Sequence, residues 1–280
     1  MTRLLVFVCA LCVPLTAFAQ QRPLVTEDPE TVGAGRVLVE GGFDYGRGVE
    51  YSASGLAGNL LRLPLIGVSI CISSIAEIQI DGGLFNHLNI TSRDPSAPLA
   101  GMVTATGDST SSIQDFVVAT KVRIVPEGAM SPSFAFRFAT KLPNASNESG
   151  LGLDTTDFFV SLLGAKTFES LRVVGNIGVG VLADPTRGDR QDDVLTYGAS
   201  FARAVTTTAE IVGEVNGHLD TRNGHALPGN ESSSVLRFGA RYTVGGWRAD
   251  AAVLVGLASR DPGFGVAVGF TYVFSAFTVP

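Results

Sequence analysis

The chain has 280 residues, a formal net charge of -6, 45% hydrophobic residues and only 16% charged ones. Its pI of about 5.1 argues against a nucleic-acid partner, and its mean hydropathy of +0.30 is high for a soluble β-protein. Beyond the first residues no run of about 18 apolar residues occurs, so spanning helices are excluded.

Residues 1–19 have the form of a signal peptide. Arg3 gives the positive start, Leu4 to Leu15 the apolar segment, and Ala17-Phe18-Ala19 the small-x-small site that places cleavage before Gln20. The segment is too short to cross a membrane. Cys9 and Cys12 lack the upstream Leu of a lipidation signal. After cleavage Cys71 alone remains, so no internal disulfide forms; its place in an apolar run suits a small hydrophobe. No metal or cofactor motif is present.

Residues 20–35 form a polar lead with Pro23 and Pro29, expected in the periplasm and partly disordered. Period-two alternation then predicts strands over Arg36 to Tyr45, Leu60 to Ile72, Ile75 to Ile90, Ile113 to Val125, Ser133 to Leu142 and Thr156 to Phe168. Six more are expected over Leu171 to Ala183, Asp193 to Val205, Thr208 to Leu219, Ser233 to Val244, Trp247 to Ala258 and Phe264 to Phe274. The barrel thus occupies 36–274, and a tail covers 275–280. The connections alternate: a Gly-rich stretch to Asn59, then long polar loops 91–111, 143–155, 184–192 and 220–232, interleaved with short turns such as Ser73-Ser74 and Gly245-Gly246. Short turns on one side and long loops on the other are the pattern of outer-membrane barrels.

The clearest strand pair covers 112–143. Phe134, Phe136, Phe138, Thr140 and Leu142 share one face of its second strand, and Ser133, Ala135, Arg137, Ala139 and Lys141 the other. Period alone is equally compatible with a soluble β-sandwich. The export signal, the loop alternation and the aromatic faces favour an all-β, transmembrane, antiparallel up-and-down β-barrel of about twelve strands. A lipid-facing Arg or Lys costs about 2–4 kcal/mol at the midplane of such a barrel, so the charged faces must point into the lumen. Glu40, Asp44, Glu77, Asp81, Lys121, Arg123, Arg137, Lys141, Glu210, Glu214, Arg237, Arg241, Arg248 and Asp250 are the expected pore-lining residues. Aromatics near strand ends, including Tyr45, Phe116, Phe158, Trp247, Phe264, Tyr272 and Phe274, suit interfacial girdles, although β-propensity enriches the same residues.

No catalytic residues are assigned. The mature chain holds His87, His218 and His225, and only His218 has a conceivable serine partner, Ser200. Gly175, Gly178 and Gly180 superficially imitate a dinucleotide fingerprint but lie within a strand. The acidic loop around Asp184, Asp189, Asp192 and Asp193 is either ordinarily solvated or a site for divalent ions that bridge lipopolysaccharide.

The lead and first strand, Val25 to Tyr45, together with the pair running from Gln114 to Ile124 and from Phe134 to Pro143, resemble the outer-membrane transporters named for the meta-pathway of phenol degradation. The resemblance covers most of the mature chain and rests on glycine, charge and alternation patterns. It implies an outer-membrane barrel with a role in uptake and carries over no catalytic residue; the Pro-flanked loop and the C-terminal tail depart from it. The expected function is passive passage of a small, aromatic or hydrophobic solute, with loop 91–111 folded inward as a constriction. Expected partners are outer-membrane lipid and lipopolysaccharide, the barrel-assembly machinery and the solute, with no nucleic acid. A non-conducting structural or adhesion barrel and a barrel enzyme are the rival readings.

Overall fold

A computed structural model describes residues 22–222 and 226–279. The expected signal peptide and His225 lie outside them. The chain folds into fourteen antiparallel segments: β1 (Arg36–Tyr51), β2 (Leu56–Cys71), β3 (Ala76–Gly83), β4 (Asn86–Arg93), β5 (Ser109–Ser112), β6 (Val117–Val125) and β7 (Ser133–Lys141), followed by β8 (Asp157–Phe168), β9 (Leu171–Ala183), β10 (Gln191–Ala204), β11 (Ala209–Asp220), β12 (Ser233–Val244), β13 (Trp247–Gly256) and β14 (Phe264–Ser275). β2 pairs with both β3 and β4, β3 with β6 and β4 with β5, so β3/β4 and β5/β6 are single staves interrupted partway. The fourteen segments therefore make a twelve-stranded barrel, closed where β1 pairs with both β14 and β2.

Three expectations change. The first strand continues past Tyr45 to Tyr51, and the Gly-rich stretch after it is strand rather than long loop. Register shifts between Gly42 and Asp44 and between Gly46 and Val49 absorb these glycines as bulges, so glycine here marks irregular pairing and not a chain break. What remains is a tight turn, closed by Gly55 N–H donating to Tyr51 O (2.8 Å), with Gly55 at φ 74°. The third predicted strand breaks in two at 84–85, and the fourth starts only at Val117, its stave completed by β5 at the end of the predicted loop 91–111. Loop 91–111 begins and ends in strand, β4 running to Arg93 and β5 starting at Ser109, and its Val103 packs against the inward-facing Leu56, Leu60 and Leu88 at the mouth. Its central part lies along the rim, with Leu99 N–H on Ala53 O (2.8 Å) and Thr104 N–H on Glu148 O (2.9 Å).

Orientation follows the alternation. On β7 Phe134, Phe136 and Phe138 point outward, 37%, 41% and 54% exposed, whereas Ala135 and Ala139 are buried inward. β14 sends Phe264, Val268, Phe270 and Phe274 out and Ala267, Thr271 and Val273 in. The buried set includes Glu77, Gln79, Lys121, Glu214, Arg241 and Asp250. An oily outside over a charged inside inverts the soluble β-sandwich, and apolar surface of this extent far exceeds the patches soluble monomers expose. Among the described residues, small apolar clusters sit at the two ends. Val32, Leu38, Cys71 and Val273 meet at the short-turn end, where Cys71 is the expected buried hydrophobe; Leu56, Leu60, Leu88 and Leu151 meet beneath the long loops.

Trp247, the chain's sole tryptophan, is 56% exposed on the outer face and stacks on Tyr272 (centroids 4.2 Å), which stacks on Phe274 (5.6 Å). Amphipathic rings at a strand end suit the headgroup level. In vesicles, Trp247 emission should be quenched more by lipids brominated near the carbonyls than by lipids brominated near the chain ends. Equal, weak quenching would place this face out of the bilayer.

Candidate functional site

The lumen is not empty: the lead runs through it. Residues 22–32 enter from the short-turn end and pass inward, held by wall side chains where the sequence predicts a partly disordered periplasmic segment. At the entrance Val32 N–H donates to Glu77 Oε2 (3.0 Å), and the Glu30 carboxylate meets the Arg123 guanidinium. Further in, Asp28 Oδ1 accepts from Arg172 Nη2 (2.7 Å). Glu27 Oε1 accepts from Lys121 Nζ (2.7 Å) and Gln79 Nε2 (2.8 Å), and Glu27 Oε2 lies 3.7 Å from Arg137 Nε. The Asn176 amide clasps the Glu27 main chain, its oxygen accepting from Glu27 N–H (2.7 Å). Glu214 Oε2 accepts from Thr26 N–H (2.7 Å) and Val25 N–H (2.9 Å). Arg22 spans the far wall, 3.6 Å from Asp44 and 3.7 Å from Asp250, with its N–H on Glu40 (3.4 Å) and its carbonyl accepting from Arg241 Nε (2.8 Å).

The wall is cut to fit this segment. A Cβ at Gly269 would sit 2.3 Å from Arg22 Nε, and one at Gly198 2.8 Å from Thr26 Oγ1. At Gly198 all three nearest atoms belong to Thr26, so this glycine makes room for the lead, whereas a Cβ at Gly269 would press on Gly41 O (2.7 Å) of the ladder as well as on the flexible Arg22 side chain. Gly198→Leu should therefore displace Thr26, and the lead with it, while sparing the ladder. Limited digestion of the folded variant with a glutamate-specific protease should cut after Glu27, which is buried and protected in the parent.

All fourteen predicted pore-lining residues face the interior. Nine meet the lead directly: Glu40, Asp44, Glu77, Lys121, Arg123, Arg137, Glu214, Arg241 and Asp250. The others pair along the wall: Asp81 with Arg137 (3.8 Å), Arg237 with Glu214 (2.6 Å) and Arg248 with Glu210 (3.8 Å). Lys141 lies between Asp157 (2.6 Å) and Asp115 (3.4 Å), near the long-loop mouth. Sequence reasoning missed the lead's own Arg22, Glu27, Asp28 and Glu30. The signal was there: an acidic Glu27-Asp28-Pro29-Glu30 run ahead of a barrel whose inner face is rich in Lys and Arg.

Two cavities stand out among the described residues. A chamber of about 470 Å³ lies above the lead, with Leu24, Val25 and Glu27 on its floor, Leu65, Phe159 and Leu163 as apolar wall, and Arg62, Asp81, Gln114 and Arg137 as polar wall. A vestibule of about 320 Å³ lies at the mouth beneath residues 150–153 and 229–233, and Lys141 and Asp115 line it. Its rim is fastened at Glu231, which meets Arg260 (3.0 Å) and Ser52 Oγ (2.8 Å) while its carbonyl contacts His218 Nε2 (2.8 Å). Ser200 and His218 are not brought together: Ser200 stands opposite Glu214 and His218 opposite Thr196. The acidic loop is neutralised locally, Asp184 by Arg190 (2.6 Å) and Asp192 by Arg222 (3.4 Å).

No family model matches the chain, and no curated protein matches it. Among solved structures, the NanC porin in its rhombohedral crystal form aligns with a TM-score of 0.51 at 10% identity, over 84% of this chain and 98% of that one. The translocator domain of the autotransporter NalP from Neisseria meningitidis aligns at 0.45 and 15% identity, over 86% and 89%. The CymD monoaromatic hydrocarbon channel aligns at 0.45 and 9%, over 88% and 89%. At these identities likeness speaks to fold alone, and the two scores below one half add nothing. The fold is that of the outer-membrane β-barrels.

Proposed function

We propose that the chain is an outer-membrane channel for passive passage of a small solute that joins an apolar body to a polar group. The observation that carries this reading is the inversion of the barrel, with an apolar belt around a closed, charged lumen. Lipid and lipopolysaccharide surround such a belt. The chamber's pairing of Leu65, Phe159 and Leu163 with Arg62, Asp81 and Gln114 supports a solute with both characters, aromatic or aliphatic. Its volume of about 470 Å³ is within the range of small-molecule sites.

The test is reconstitution of the folded protein in planar bilayers and in liposomes loaded with small aromatic and aliphatic solutes. Channel currents or solute-dependent swelling are expected. Their absence both in the intact chain and in a chain lacking residues 22–32 would overturn the reading in favour of a structural barrel. Arg137→Gln removes a chamber cation and should move the reversal potential in a salt gradient toward cation preference. Arg241→Gln should act differently, on open time, because Arg241 holds Arg22 of the lead.

A further inference from the structure

We infer that the lead is a reversible plug: residues 22–32 close the channel, and they can leave without unfolding it. This rests on the channel reading above. Among the described residues no backbone-to-backbone hydrogen bond joins 22–32 to any strand; such bonds begin at residues 33–35, where Gly35 N–H meets Cys71 O (3.0 Å). The lead is held instead by side chains, mostly through charge-assisted bonds, and its withdrawal leaves every rung of the barrel in place. Residues 33–35 then serve as the tether.

The decisive point is what departure would leave behind. Breaking a buried ion pair is costly when it strands a charge. Here most of the wall charges that hold the lead keep wall partners without it, while Asp250 and Glu40 give up Arg22 and Glu40 keeps the Thr271 hydroxyl (3.1 Å). Lys121 retains Glu77 (2.9 Å), Arg137 retains Asp81 (3.8 Å), and Arg172 retains Glu127 (2.9 Å). Glu214 retains Arg237 (2.6 Å), and Asp44 retains Arg62 (4.0 Å). Arg123 loses Glu30 but keeps the Ser74 carbonyl (2.8 Å) at the open end, where water reaches it. Glu127 in the turn at that end is well prepared for its share: burial opposes its charge, yet the Thr167 N–H, Arg172 and Lys166 overcome this and hold its carboxyl below the usual range. A wall whose charges mostly keep a partner in both states lowers the cost of withdrawing the lead, as a switch requires.

A disulfide trap tests this in the full chain. A Cβ on Gly198 would lie 3.4 Å from Thr26 Cβ, close to disulfide geometry. In a Cys71→Ala background, Thr26→Cys with Gly198→Cys and diamide as oxidant should fasten the plug. The oxidised barrel should be silent in planar bilayers, and a thiol reductant should restore openings. Glu27→Gln with Glu30→Gln should raise the open fraction about tenfold. A synthetic peptide of residues 22–35 should block the lead-deleted channel from the short-turn side alone. Parental currents through the oxidised trap would overturn the plug and leave the channel standing. Silence of every form, lead-deleted included and with folding verified by heat-modified migration, would overturn the channel reading and the plug with it.

Discussion

Phe136→Arg should prevent stable insertion of the barrel into bilayers. Phe136 lies in the middle of β7, opposite Val122 on one side and Leu162 on the other, and is 41% exposed on the outer face. An arginine there has no neighbouring carboxylate and meets hydrocarbon, at a cost of about 2–4 kcal/mol at the midplane. That is a large fraction of a typical folding free energy of about 5–15 kcal/mol. The urea midpoint in vesicles should fall sharply, and the folded, heat-modifiable band should be depleted. Phe136→Leu keeps the face apolar and should behave nearly as the parent. An arginine variant that folds as readily as the leucine one would mean that β7 does not face lipid.

The same alternation explains why so much of the barrel was legible in advance. A strand repeats every two residues, so Phe134, Phe136 and Phe138 against Ala135, Arg137 and Ala139 declare two faces, and the cost of a charge in lipid decides which is outside. Strand ends were read less well where glycine carries two meanings. Gly46 and Gly48 looked like a loop but belong to bulged strand, because a bulge and a loop both favour residues without a side chain. The lead was misread for another reason. Prolines and acids in a terminal segment suit solvent, and nothing local contradicts that. What orders the segment is distant in sequence: Lys121 lies 94 positions from Glu27, Arg172 144 from Asp28 and Glu214 188 from Thr26. Pairings over such separations leave no periodic trace. The lumen's charge was thus predictable residue by residue, whereas its occupant was not.

Lys121 is where stability and closure meet, and its replacement separates them. The residue is fully buried, with Glu27 at 2.7 Å, Glu77 at 2.9 Å and the Asp28 carbonyl at 2.8 Å. Lys121→Met keeps the stem's volume but leaves two carboxylates facing each other without their shared cation. Removing one partner of a buried pair costs about 3–5 kcal/mol, so the urea midpoint should drop substantially. Glu77 belongs to the wall and Glu27 to the lead, and the two react differently to rescue. Adding Glu77→Gln neutralises the wall, and the midpoint should return most of the way. It does not replace the ammonium that Glu27 loses, although Arg137 stays 3.7 Å away. The double variant should therefore be a well-folded barrel with a loosened lead, open for longer in planar bilayers than the parent. A double variant that regains stability and gates like the parent would show that Lys121 supports only the wall. One that stays unstable would show that the cost lay in the packing of the lysine stem rather than in the stranded carboxylate of Glu77.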